Sequence, residues 1–384
     1  MYDFLVVGCG YAGSVLAERL ASQLGKTIIM VDKRKHLGGN AFDYTDESGV
    51  LLHRYGPHLF HTNSRKVWDY LSLFTQWIPY EHRVLAEIQN KRVPVPFNFK
   101  SIDMLFESSV ASELKRLMVE FYGYGANIPI LRLLEVKDAR LKELAEFIYA
   151  NVFEGYSRKQ WGLDPKLLDS AVTSRVPVRV GYDDRYFQDT YQAIPRDGYT
   201  AMFRRMLEHP NIDIKLQTDY REVIGEISYR RMIYTGPVDL FFDYKFGHLP
   251  YRSLRFELEH HDMDRFQEVA QVNFPNRYAY TRKTEFKHIT GQQIAGTTVA
   301  TEYPLQYLCG ESEPYYPIPI PESRKTLESY QNEVRKLSGK VIFLGRLAEY
   351  KYFNMDQIVG RALNIFENDL IGPKQAFSSQ QPRS

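Results

Sequence analysis

The segment Gly8-Cys9-Gly10-Tyr11-Ala12-Gly13 restricts what this chain can fold into more than any other feature of it. It follows an apolar run, Phe4-Leu5-Val6-Val7, of the length of a buried strand. Beyond it, Ala12, Val15, Leu16 and Leu20 fall on one face of a helix. A second apolar run, from Thr27 to Val31, ends in Asp32. Strand, glycine turn, helix and strand make a βαβ unit with parallel strands. A bare G-x-G-x-x-G is weak evidence, but in this context it predicts a dinucleotide site. Gly8 allows the tight turn, Gly10 lets backbone approach a pyrophosphate, and Gly13 lets the helix lie close to the sheet. The helix N-terminus offers unpaired N–H groups and a positive dipole end to the phosphates. Asp32 is placed to accept hydrogen bonds from ribose hydroxyls.

One βαβ unit cannot complete a dinucleotide domain, so later segments must return to it. Arg231-Met232-Ile233-Tyr234 before Thr235-Gly236-Pro237 reads as a strand entering a turn, as does Lys340 to Leu344 before Gly345-Arg346. Met355, Ile358, Val359, Ala362, Leu363 and Phe366 then repeat at helical spacing. The dinucleotide domain is therefore assigned to residues 1–66, 199–240 and 338–372. Residues 100–164 are rich in helix formers and predict a helical insertion. The remaining pieces, 67–99, 165–198 and 241–337, predict an antiparallel sheet, with alternation in Tyr251 to Leu258 and in Tyr278 to Arg282. Residues 373–384 are polar and aperiodic and predict a disordered tail.

Composition removes several function classes. A formal net charge of +2 gives no reason to expect nucleic acid or an anionic membrane as a partner. The two cysteines, Cys9 and Cys309, cannot form a disulfide framework for 384 residues. No apolar run approaches the ~20 residues that span a bilayer, and no signal-like segment precedes the first strand, so a cytoplasmic protein without membrane insertion is expected. Neither a Walker loop nor zinc-like Cys/His spacing occurs, and no metal is expected.

The segment after Asp32, Lys33 to Asn40 with its Gly38-Gly39 pair, resembles flavoproteins of the amine-oxidase type. The later Gly345-Arg346 stands where that fold places a further flavin contact, so FAD is the favoured cofactor. A longer series then resembles the bacterial UDP-galactopyranose mutases in order. It comprises Gly38-Gly39-Asn40-Ala41, Tyr55 to Thr62, Pro94 to Asn98, Gly155 to Gly162, Arg175 to Arg179, Asp184 to Phe187, Tyr234 to Pro237, Glu313 to Pro317 and Gly345 to Tyr352. The fold class this implies is α/β, a discontinuous Rossmann-like FAD-binding domain with an inserted helical domain and an antiparallel β-sheet domain.

The resemblance implies an isomerase that interconverts UDP-galactopyranose and UDP-galactofuranose through a reduced-flavin N5–sugar adduct, with an external reductant such as NAD(P)H. It implies flavin contacts at Gly8, Gly10, Gly13, Asp32, Gly39, Asn40, Arg346 and Met355, and a histidine pair, His58 and His61, beside the isoalloxazine controlling protonation. Arg175 and Arg282 match arginines that face the diphosphate and act in catalysis. Tyr186, Tyr316 and Tyr352 match phosphate-contacting tyrosines, and Tyr156 and Trp161 match a uridine-binding segment. A planar guanidinium can hold two phosphate oxygens at once, which suits this task better than a lysine. Asn354 stands where many members have Asp. A homodimer is implied as well. Two other activities remain open: the same ring contraction on a related nucleotide sugar such as UDP-N-acetylgalactosamine, and an FAD oxidoreductase of amine-oxidase type.

Overall fold

The computed structural model describes residues 1–162, 176–318 and 320–371. Its first sheet has five parallel strands in the order Ile212–Leu216, Ile28–Asp32, Tyr2–Val7, Tyr229–Tyr234 and Val341–Phe343. Leu5 therefore lies opposite Met232, a partner supplied from the far half of the chain. Leu5, Val6 and Ile28 to Val31 are all buried, because helices cover both faces of a parallel sheet and leave no side for water. The helix Tyr11–Leu24 packs on one face and stops at Gly25, whose left-handed backbone (φ 60°) lets its N–H return to the Ala21 carbonyl. The helices Tyr199–Leu207 and Met355–Ile365 share that core. On the other face Tyr330, from the helix Arg324–Lys336, packs with Leu5, Ile29 and Tyr234.

A second sheet has seven strands in the order Tyr316–Pro317, Tyr251–His261, Thr297–Gln306, Arg282–Glu285, Gln271–Asn273, Val84–Ile88 and Lys91–Val95. All its pairings are antiparallel except Gln271–Asn273 with Val84–Ile88. The strand expected from Tyr278 begins only at Arg282. The alternation is real, since the Tyr278 and Tyr280 rings stack at 4.8 Å. The carbonyls of Tyr278 and Tyr280, however, accept hydrogen bonds from the Lys159 ammonium, so no ladder forms there.

Helices at Phe99–Leu105, Ser108–Tyr122 and Ala139–Ile148 pack Ile102, Leu114, Met118, Leu141 and Leu144 against Val84, Ala86, Val93 and Val95 of this sheet. The first and third of these helices start on Asn98 and Asp138, whose carboxamide and carboxylate oxygens accept the first free backbone N–H groups. Helical insertion and sheet thus share one core. The piece 165–198, assigned to the sheet as a whole, is divided in its described part. Val178–Arg179 pairs with Asn127–Ile128 of the helical insertion, and Tyr191–Pro195 joins Phe60–Thr62 and Trp77–Pro79 in a three-stranded sheet. The predicted tail, 373–384, lies outside the described residues. Among the described residues no helix is long and apolar enough to cross a membrane.

Candidate active site

The glycine turn forms one wall of a long cleft. A Cβ on Gly8 would lie 2.0 Å from Thr235 Oγ1, and one on Gly13 would lie 2.1 Å from the Gly8 carbonyl oxygen. Gly13 therefore works by letting the helix approach the turn, and it does not itself line the cleft. Gly10 and Gly39 approach backbone to backbone, since a Cβ on Gly39 would meet Gly10 Cα at 2.9 Å. Gly10 is the N-cap of the helix Tyr11–Leu24 and supplies no capping side chain, so that N-terminus presents bare N–H groups. Asp32 lines the cleft, and its two carboxylate oxygens accept the N–H groups of Cys9 and Arg34, each at 2.9 Å. It thus fixes the turn while keeping lone pairs for a ribose. Arg34 donates to Asn40 Oδ1 at 2.9 Å and to Glu313 Oε2 at 2.8 Å, and lies 4.6 Å over the Tyr55 ring.

At the far end the cleft is lined by His58, Arg346 and Met355. The His58 backbone N–H donates to His53 Nδ1 at 2.9 Å, and His58 Nδ1 lies 2.8 Å from the Gly56 carbonyl. That carbonyl can only accept, so His58 Nδ1 carries the proton and Nε2 is an acceptor. Burial lowers both His53 and His58 to about 3 and keeps them neutral. His61, the other histidine of the expected pair, does not line this cleft. It stacks on Phe187 at 3.7 Å and its Nδ1 pairs with Asp189 at 2.8 Å.

A second group of side chains adjoins this end. Tyr316 and Tyr352 stack at 5.3 Å, Trp161 packs within about 6 Å of both ring centroids, and Arg346 lies 5.1 Å and 5.0 Å over the two tyrosine rings. Arg346 is held by the Phe353 carbonyl at 2.6 Å. It therefore belongs to both walls, the cleft and the aromatic cluster. Arg282 turns two N–H groups onto Glu302 Oε2, at 2.8 Å and 2.6 Å. Glu302 is 1% exposed and holds the guanidinium firmly charged, with Tyr156 and Tyr316 close by. Burial raises Tyr156 above the usual phenol range. Tyr186 packs edge-on to His82 at 5.5 Å. His82 itself is buried and lowered to about 3.

The sequence reading missed Glu302 and His82. Glu302 faces Arg282 across two strands, a pairing visible only once the register is known. Arg175 lies outside the described residues. Asn354 stands at the N-cap of the helix Met355–Ile365, where its N–H meets Gln357 Oε1 at 2.9 Å. Among the described residues no cluster of His, Cys, Asp or Glu could hold a metal.

Comparison with known proteins gives a consistent picture. The UDP-galactopyranose mutase family matches residues 151–352, and the NAD(P)-binding Rossmann-like domain family matches residues 6–74. A Klebsiella pneumoniae protein named "Probable UDP-galactopyranose mutase" is 34% identical over 96% of this chain and 94% of its own. The dTDP-fucopyranose mutase of Escherichia coli is 33% identical over 94% of this chain and 97% of its own. A crystal structure of reduced UDP-galactopyranose mutase superposes with a TM-score of 0.73, covering 96% of this chain and 95% of that one at 16% identity, a likeness of fold.

Proposed function

The chain belongs to the UDP-galactopyranose mutase family, and from that premise we propose that it interconverts UDP-galactopyranose and UDP-galactofuranose with FAD as cofactor. The observation that carries this reading is Arg346, which lines the dinucleotide cleft and lies over the Tyr316–Tyr352 stack. A nucleotide on the aromatic cluster would hold its sugar at the His58 end of the cleft.

The cleft's residues suit FAD. The bare helix N-terminus beside Gly10 and Gly39 would take the pyrophosphate, Asp32 the ribose, and His58, Arg346 and Met355 the ring system. Bound and reduced by an external donor such as NAD(P)H, the flavin supplies a nucleophilic nitrogen for the anomeric carbon. The chain's own residues bind the leaving diphosphate and steady its charge. Glu302 takes two of the five guanidinium N–H groups of Arg282, leaving the Nη1 edge for a phosphate. Because Glu302 also cancels the charge of Arg282, a diphosphate needs a second cation, the role proposed for Arg175. Tyr156, Tyr186, Tyr316 and Tyr352 supply hydroxyl donors, and Trp161 a face for the base. His58, neutral with Nε2 bare, can accept a hydrogen bond at the ring system and carries no charge to oppose.

A second reading, a different nucleotide sugar, is favoured by the near-equal identity of the dTDP-fucopyranose mutase. One assay separates these. The reduced protein is incubated with UDP-galactofuranose, its 2-acetamido analogue and dTDP-fucofuranose, and the products are resolved by chromatography. Conversion of UDP-galactofuranose with the highest kcat/KM is expected, and faster conversion of either other sugar would replace the assignment. A homodimer, implied by the family, belongs to the same proposal and is checked by light scattering.

A further inference from the structure

The helix that carries Tyr156 and Trp161 runs on from Ala139–Ile148 through a wider π-helical turn at Tyr149–Glu154 into Gly155–Trp161. A widened turn alters the backbone hydrogen bonding and is often found at functional sites. Here the Asn151 carbonyl accepts from Asn276 Nδ2 at 3.1 Å. Gly155 sits against the same loop, because a Cβ there would lie 2.5 Å from the Pro275 carbonyl oxygen. One turn further on, the Lys159 ammonium donates to three carbonyls of that loop: Phe274, Tyr278 at 3.0 Å and Tyr280 at 3.2 Å. Three carbonyls converging from one loop repel one another unless a cation sits among them. The loop closes on itself where the Phe274 N–H meets the Thr281 carbonyl at 2.8 Å, and the next residue is Arg282. The other side of the helix end is also held, as Arg252 donates to the Lys159 and Gln160 carbonyls, both at 2.9 Å.

We propose that Lys159 is a positioning residue that fixes the loop 274–281, and with it Arg282, against the helix bearing Tyr156 and Trp161. It does not line the dinucleotide cleft. It sets the separation between the group that stacks on the base and the group that holds the phosphate. The Asn276–Asn151 hydrogen bond and the close approach of Gly155 join the same loop and helix earlier along it. Lys159 thus acts as a built-in cation for the loop, doing for its carbonyls what a bound metal does elsewhere. The inference rests on the reading that Trp161 and Arg282 contact the nucleotide.

The test uses the full-length, flavin-loaded protein, with UDP as the probe in calorimetric titrations of Lys159→Gln, Arg282→Lys and the double variant. Lys159→Gln should keep its flavin spectrum and weaken UDP binding about tenfold. In the Arg282→Lys background it should add less than about threefold, because the group it positions is already compromised. UDP affinity within about twofold of the parent in Lys159→Gln, while Arg282→Lys binds weakly, would overturn the positioning role. Fully additive losses would overturn it too, since they mark a general structural contribution. An Arg282→Lys variant that binds UDP normally would sink the nucleotide-site reading itself, and this inference with it. Should Lys159→Gln fail to fold, Gly155→Ala asks the same question, because its Cβ pushes the loop away while the ammonium stays. A folded Gly155→Ala protein with parental UDP affinity and coupling would contradict the proposal.

Discussion

The two walls of the site are built in opposite ways. The dinucleotide wall is backbone: a glycine turn in which Gly8, Gly13 and Gly39 leave no room for a Cβ, a helix N-terminus and one carboxylate, most of it within the first forty residues. The wall proposed to hold the nucleotide sugar is side chain, with Trp161, Arg282, Glu302, Tyr316 and Arg346 arriving from separate helices, strands and loops. A backbone wall fails by steric conflict when a residue is enlarged. A side-chain wall fails by losing a partner, and the partner left behind then bears the cost.

The largest effect should come from the side-chain wall. Arg282→Ala leaves Glu302, 1% exposed, as an uncompensated buried carboxylate, which costs about 3–5 kcal/mol of stability. Urea unfolding should show this alongside the loss of turnover. If Arg282→Ala unfolds at the parental midpoint, the pair is not what holds this wall together. On the backbone wall, Gly13→Ala places a Cβ 2.1 Å from the Gly8 carbonyl oxygen. The helix must then move away, at roughly 1–3 kcal/mol, and copurified flavin should fall sharply. A Gly13→Ala protein with full flavin occupancy would break the steric half of the comparison.

The sequence showed these two walls unequally. Gly8, Gly10, Gly13 and Asp32 were readable because their tasks are local and each residue type answers to a backbone geometry. Arg282 could be singled out only by resemblance, and Glu302 not at all, since their pairing depends on strand register. His58 lines the cleft, whereas His61 meets Phe187 and Asp189, contacts that depend on a strand pairing distant in sequence. Tyr278 and Tyr280 alternate as a strand would, yet Lys159, far off in sequence, claims their carbonyls.

Both walls are backed by enclosed neutral histidines, and pH sharpens the comparison more gently. His53, which accepts the His58 backbone N–H, and His82, behind Tyr186, are each lowered by burial to about 3. Between that value and the ordinary 6.5, the unfolded chain binds protons that the folded chain refuses. Their contribution to stability is therefore complete above about pH 6.5 and falls as pH drops, by roughly 1.4 kcal/mol per pH unit for each histidine. His53→Asn keeps an acceptor for the His58 N–H and should remove one histidine's share of that slope. An unchanged slope would mean that His53 titrates normally. The smallest effect is expected at the N-cap of the helix Met355–Ile365. Asn and Asp cap about equally well, so Asn354→Asp should shift stability by under ~1 kcal/mol. A larger change in the thermal midpoint would show that Asn354 does more than cap.

The central claim is that the two walls serve one reaction without net redox, and flavin absorbance followed during anaerobic turnover tests it most directly. The protein is reduced with dithionite, freed of excess reductant and mixed with a large excess of UDP-galactofuranose. The account predicts many turnovers to UDP-galactopyranose while the flavin stays reduced, and none by the same protein kept oxidised. Reoxidation of one flavin per sugar consumed, or equal turnover by the oxidised protein, would contradict it.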